Sequence, residues 1–187
     1  MTDRLPLPEG DQLTDAQRVA RDRIASGPRG AIFGPFVPLL RSPELMTRVQ
    51  LVGEYLRFDS VLDRDLVELV ILVVSREWDQ DFEYGYHQPL ALEAGLPAAV
   101  VDDVARGRRP TTGRPEVALV WDLLDELHRT RQVADPTWAA VVVALGETAA
   151  VEVVGTAGYY TTLAMTMNAA RTPPPEGAPR LPAREER

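Results

Sequence analysis

The chain has 187 residues, 45% of them hydrophobic and 26% charged, which suits one soluble globular domain burying roughly 70% of its unfolded surface. A formal net charge of −8 argues against nucleic acid or an anionic membrane as a general partner. All 20 basic residues are arginine, cysteine is absent and there are two histidines, which excludes lysine Schiff bases, disulfides and thiolate metal sites and leaves no histidine-rich metal centre.

The opening MTDRLPLPEGDQ has prolines and acids but no apolar core of a signal peptide, and no segment approaches the length of a membrane span. A cytoplasmic protein is expected, with residues 1–13 as an N-terminal arm. Thr14 with Gln17 reads as a capping box opening a helix through Ile24, which Gly27 and Pro28 end. The glycines and prolines of GPRGAIFGPFVPLL predict no regular element, yet Ile32, Phe33, Phe36, Val37 and Leu39 are too apolar for a solvated loop. Such a segment lies across a core or lines a pocket. Ser42 followed by Pro43 opens a helix to about Arg57 with Leu45, Val49, Val52 and Leu56 on one face.

The stretch from Asp63 to Gly95 organises the rest. From Leu66 to Val74 apolar residues are nearly continuous, so periodicity alone does not separate helix from strand. Length decides: nothing from Asp65 to Trp78 breaks a helix, and that run far exceeds a mean strand of roughly 5–6 residues. The spacing predicts a nearly buried helix with Glu68 in or beside the core. A buried carboxyl group must be bonded, paired or protonated. After a turn at Asp79–Asp81, Glu83, Tyr86, His87 and Leu90 recur at helical spacing until Gly95. Glu83 and His87, four apart, share a face, so one can set the other's tautomer. A plain antiparallel hairpin centred on Gln80 leaves Glu68 and His87 out of register by about 7.5 Å. Contact between them stays open at this stage, as does the choice between a core ion pair and a chemical site.

Pro97 begins a short helix to Gly107, and the arginine-rich RGRRPTTGRP is an exposed connection. Glu116 to Thr130 is amphipathic with Val117, Val120, Leu124 and Leu127 inward, and His128 in its last turn reads as structural, its positive charge favoured by the helix dipole. Asp135 and Pro136 start another helix, and Glu147 to about Ala170 forms the last, rich in Ala, Gly and Thr. The remainder, TPPPEGAPRLPAREER, is too poor in apolar residues to pack a core, so 173–187 is expected to be a mobile tail or an arm on a neighbour. In all, seven to eight helices form one all-α domain over 14–172.

Several segments resemble the carboxymuconolactone decarboxylase family, which includes alkylhydroperoxidase-D-like proteins. They are Glu68 in ELVILVVSREW, Phe82-Glu83-Tyr84, His87 in YHQPLA 19 residues beyond Glu68, Glu93-Ala94-Gly95-Leu96, the Gly/Pro segment before Ser42-Pro43-Glu44-Leu45, and GYYTTLAMTMNA. The resemblance implies an alkylhydroperoxidase-D-like fold, a homo-oligomer (trimer or hexamer), and a cofactor-independent lyase or proton-transfer enzyme acting on a small carboxylated or lactone substrate. On that reading His87 is the proton donor, Glu83 its orienting partner and Glu68 a relay member, with Tyr86, Phe33 and Phe36 facing substrate; Arg76 either holds a substrate carboxylate or, the favoured role, forms a surface ion pair. In the peroxidase branch a CxxC pair precedes the histidine; here Gln80 and Glu83 occupy those positions, so thiol peroxidase chemistry is excluded. The other reading is a non-catalytic helical oligomer that binds a small ligand or acts as a scaffold.

Overall fold

A computed structural model describes residues 2–184. Nine α-helices follow one another among them, with no strand: α1 (Asp15–Ala25), α2 (Phe36–Leu39), α3 (Pro43–Phe58), α4 (Arg64–Glu77), α5 (Asp81–Glu93), α6 (Ala98–Ala105), α7 (Pro115–Thr130), α8 (Asp135–Leu145) and α9 (Glu147–Ala170). No single helix among the described residues is long and apolar enough to cross a membrane.

The organising helix is α4. Every residue from Leu66 to Arg76 is buried, because α3, α5, α6, α7 and α9 all pack against it. Each fully buried Leu, Ile or Val contributes about 1.5–3 kcal/mol of apolar burial, so α4 alone anchors much of the core. Its polar exceptions, Glu68, Ser75 and Arg76, each need an internal answer. Ser75 donates to the Ile71 carbonyl at 2.7 Å.

The ends of the elements follow local chemistry. Thr14 accepts from the Gln17 amide while the Gln17 side chain accepts from the Thr14 amide, a complete capping box. Gln80 caps α5 by accepting from Phe82 N at 2.7 Å. Between α4 and α5 the chain turns through Trp78–Gln80, with Asp79 in the left-handed region at φ 48°.

Two local expectations need correction. The Gly/Pro segment contains a one-turn helix, α2, with Pro35 at its N-cap and Pro38 inside it; the first turn needs no amide donor, so proline is tolerated there. On α3 the buried residues are Met46, Gln50, Gly53 and Leu56, whereas Leu45 and Val52 are about half exposed. The inward stripe is rotated because Gly53 marks a close approach: a Cβ there would lie 2.0 Å from the Tyr159 hydroxyl.

The composition predicts a mobile tail after residue 172, but through Arg184 the chain runs back over the α4–α5 corner. Pro182 O accepts from Arg76 Nη1 at 2.8 Å, Leu181 N donates to Asp81 at 3.0 Å, and Arg184 donates to Asp79 and to the Arg76 and Glu77 carbonyls. Backbone polar groups and charge, which hydrophobic patterning does not report, hold it there together with Leu181, which packs against the core. Residues 185–187 lie outside the described residues. The N-terminal arm is tied as well, with Arg4 N donating to Ala170 O at 2.8 Å.

Candidate active site

His87 projects from α5 against α4, and its two ring nitrogens meet two carboxyl groups. Nδ1 lies 2.7 Å from Glu68 Oε2, and Nε2 lies 3.4 Å from Glu83 Oε2. All three residues are at most 4% exposed. The out-of-register spacing of a plain hairpin is therefore not the geometry adopted, and the tight Trp78–Gln80 turn brings the two helices into direct contact at this level.

Burial pushes the His87 pKa down, only partly countered by its bond to Glu68. A neutral imidazole whose Nδ1–H donates to Glu68 leaves Nε2 as an acceptor toward Glu83. Burial pushes Glu83 up to about 8, against the pull of Arg57 and Arg29 and with a further rise from Glu68. Glu83 is thus mostly protonated at neutral pH, with one proton that it can direct either toward Nε2 through Oε2 or, through Oε1, away from the imidazole. Its second oxygen, Oε1, is buried with no hydrogen-bond partner in the chain.

That oxygen belongs to a side chain lining a small cavity with His87, Arg29, Arg57, Tyr86 and Tyr160. The volume is about 20 Å³, space for about one water. Phe33, Pro35 and Phe36 close one side, and Phe82 and Leu163 another. Phe33 packs on Tyr86 with ring centroids 5.1 Å apart, and Tyr86 and Tyr160 each meet the His87 ring edge-on at 5.1 and 5.3 Å. Gly34, at φ 55°, lets this segment close on Phe82, since a Cβ would fall 2.5 Å from that ring. The Gly/Pro segment therefore lines the cavity.

The two guanidiniums reach the site from different elements. Arg29 leaves the loop before α2, stacks over the Phe36 ring at 4.8 Å and reaches the Tyr159 hydroxyl at 3.5 Å; its Nε is buried without a partner. Arg57 ends α3. Burial opposes its charge, but Tyr160, Glu68 and Tyr86 outweigh burial and raise its pKa. Burial also raises both tyrosines, Tyr159 to about 12 and Tyr160 well above the ordinary tyrosine range, so both are neutral phenols.

Glu68, Glu83, His87, Tyr86, Phe33 and Phe36 are thus brought together. Arg76 is not: its Nη1 donates to Ala105 O at 3.0 Å and to Pro182 O, and its Nη2 pairs with Asp79, so it ties α6 and the C-terminal segment to the hairpin. The sequence reading did not place Arg29, Arg57, Phe82 or Tyr160 in the site: Phe82 and Tyr160 fall within segments that carried the resemblance, and for the two arginines no local spacing signal exists. Gln80 and Glu83 also divide. Gln80 is structural, bonding Asn168 Oδ1 at 2.7 Å as it caps α5, and Glu83 faces the cavity.

Other clefts carry less chemistry. One of about 490 Å³ over His128 is lined by Glu77, Trp78 and Arg131. Burial pushes His128 down, so at neutral pH it does not supply the positive charge expected for the end of α7. Among the described residues no group of three or more His, Asp or Glu side chains is arranged to hold a metal ion.

Residues 43–126 match the model of the carboxymuconolactone decarboxylase family. The fold is similar to a crystal structure of an alkylhydroperoxidase AhpD core, an uncharacterized peroxidase-related protein from Ralstonia eutropha, with a TM-score of 0.75, 16% identity and 92% of each chain covered. No curated protein matches the sequence.

Proposed function

We propose that this cysteine-free chain, in which residues 43–126 match the carboxymuconolactone decarboxylase family model and the fold is AhpD-like, is a member of that family and a cofactor-independent lyase or proton-transfer enzyme for a small carboxylated or lactone substrate. The observation that carries this reading is one histidine bonded to buried Glu68 through Nδ1 and set 3.4 Å from buried Glu83 at Nε2, beside a cavity that also holds two arginines. In a decarboxylation of this kind the C–C bond to the carboxylate breaks and carbon dioxide leaves. The electron pair passes into the lactone carbonyl as an enolate, and a proton then forms the new C–H bond. The protein has to supply a positive environment for the enolate and a proton at the right carbon. Arg29 and Arg57 suit the first task, and the Glu68, His87 and Glu83 chain suits the second. Glu68 also lines an outer cleft of about 440 Å³ with Arg57, Ser60 and Arg64, a route by which solvent can restore the proton. Thiol-dependent peroxide reduction has no nucleophile in this chain.

Assembly as a homo-oligomer is part of the proposal. Leu51, Val52, Tyr55 and Phe58 on α3, with Val61 and Val151 nearby in the fold, are 45–61% exposed, an apolar surface that a second copy would cover. Light scattering that returns only the 20.6 kDa monomer would reject it.

One observation favours a non-catalytic helical protein: the cavity has room for about one water, so a substrate enters only if the Phe33–Phe36 side opens. The deciding experiment incubates the protein with the carboxylated lactone for which the family is named and follows the product by proton NMR. Turnover that falls roughly 10²-fold or more in His87→Gln and Glu68→Gln, with melting temperature retained, fits the proposal. An untouched lactone together with variants destabilised by roughly 3–5 kcal/mol leaves a structural ion pair.

A further inference from the structure

The engaged nitrogens of His87 change which atom faces a ligand. Nδ1 bonds Glu68 at 2.7 Å and Nε2 lies 3.4 Å from Glu83 Oε2, so with its one N–H spent on Glu68 the neutral imidazole has no free donor to offer the cavity. Glu83 Oε1 is buried with no partner, and Glu83 lines the cavity together with Arg29 and Arg57. Arg29 Nε is likewise buried and unpartnered. An orphaned carboxyl oxygen and an orphaned guanidinium N–H at one small cavity call for an occupant that satisfies both. A cation would meet two arginines, and an apolar group would satisfy neither polar atom. A small anion accepts from the guanidiniums, and it accepts from Glu83 as well when Glu83 carries its proton.

We propose that this cavity binds a small monoanion, such as the carboxylate end of a substrate, held by Arg29 and Arg57 with protonated Glu83 as donor, so that anion binding and Glu83 protonation are one coupled event. This rests on taking the cavity as the ligand site, and it moves the group that meets the ligand from His87 to Glu83. The charge count supports it. The groups facing Glu83 are Arg57 from α3, Arg29 from the preceding loop, Glu68 from α4, Tyr86 and His87 from α5, and Tyr159 and Tyr160 from α9. With Tyr159, Tyr160 and His87 neutral, an ionised Glu83 would set a carboxylate beside an incoming anion. A protonated one presents a hydrogen bond instead. Binding an anion at a pH where free Glu83 is ionised therefore takes up one proton from solvent.

Formate is the probe, small enough to test the cavity without wide opening and anionic throughout the range; formamide is its uncharged counterpart. Binding is followed in the full chain by NMR of carbon-13-labelled glutamate carboxyls. With free Glu83 titrating at about 8, formate affinity should weaken by about tenfold between pH 7 and pH 9, while formamide affinity stays level. Glu83→Gln, a neutral isostere, should bind formate at pH 7 and lose the pH dependence. Arg29→Gln and Arg57→Gln should each weaken formate by about tenfold and leave formamide unchanged. Formate affinity equal at pH 7 and pH 9, a pH slope that persists in Glu83→Gln, or no perturbation of the Glu83 carboxyl by formate would each overturn the proposal. The wild-type pH series decides even if Glu83→Gln fails to fold. Coupled anion binding without lactone turnover would uphold this inference and reject the lyase reading. Turnover with pH-independent formate binding would do the reverse.

Discussion

Glu83 and Glu152 are both buried glutamates, 4% and 7% exposed, and the protein holds them in opposite states. Burial alone would raise both. Glu152, between α9 and the end of α3, accepts from the Ser60 and Tyr55 hydroxyls at 2.5 Å each and from the Val61 amide at 2.9 Å, and these donors outweigh burial and hold its pKa low. Glu83 has His87 at 3.4 Å and nothing at its other oxygen, so burial prevails. Burial thus does not separate a structural carboxyl group from a chemical one; the number of donors aimed at it does. Glu152 stitches α3 to α9, and Glu83 keeps a proton and an unused oxygen.

The two ends of this comparison respond oppositely to pH. Glu83 rises from 4.5 to about 8 on folding, so between those values the folded chain holds a proton that the unfolded chain releases. Its stabilising contribution is complete below 4.5 and is lost as pH rises through 8. Glu152 is held low, so its contribution is present above the ordinary glutamate range and disappears as pH falls. The sharpest test is Glu83→Gln, which cannot ionise: at pH 9 it should be more stable than wild type by on the order of 2–4 kcal/mol, and at pH 5 the two should agree within about 1 kcal/mol. Thermal melting across pH reads this directly, and parallel curves would break the contrast. Next comes Glu152→Ala, which strands three donors and should cost about 2–3 kcal/mol at pH 7, a melting temperature lower by roughly 5–8 °C. A neutral effect would mean that water replaces the carboxylate at no penalty. Smallest is Ser60→Ala, which removes one of the three donors and the acceptor of the Leu62 amide. Urea unfolding should register about 1 kcal/mol, with the midpoint shifted and the slope unchanged.

The half of the site built on consecutive helices was legible before any coordinates. An apolar run interrupted by Glu68, then Glu83 and His87 four apart, is a pattern that helical periodicity converts into a shared face. The capping box at Thr14 was legible for the same reason, since its partners are three residues apart. Arg29 and Arg57 were not. One sits in a loop and the other in a last helical turn, and only the packing of α2, α3 and α9 brings them to one cavity. For Arg76 the expected ion pair is present, with Asp79, but the side chain is buried and not on the surface, because its other partners come from Ala105 and from a segment more than a hundred residues away. The outward apolar face of α3 was misjudged because leucine and valine mark a stripe whatever covers it, whereas Gly53 fixed the true contact by having no side chain.

The C-terminal segment over the α4–α5 corner adds a matter of timing. Its bonds to Arg76 and Asp81 close loops of 106 and 100 residues, the entropically slow kind of contact. On a ribosome adding about 5–20 residues per second, α4 and α5 are complete well before residues 178–184 exist. The hairpin must therefore reach its buried arrangement first and receive its outer layer last. That order marks the segment as a separate unit of low local stability. In hydrogen exchange the amide of Leu181 should open ahead of those within α4, by local release and without global unfolding; equal rates would make the segment one cooperative piece with the core.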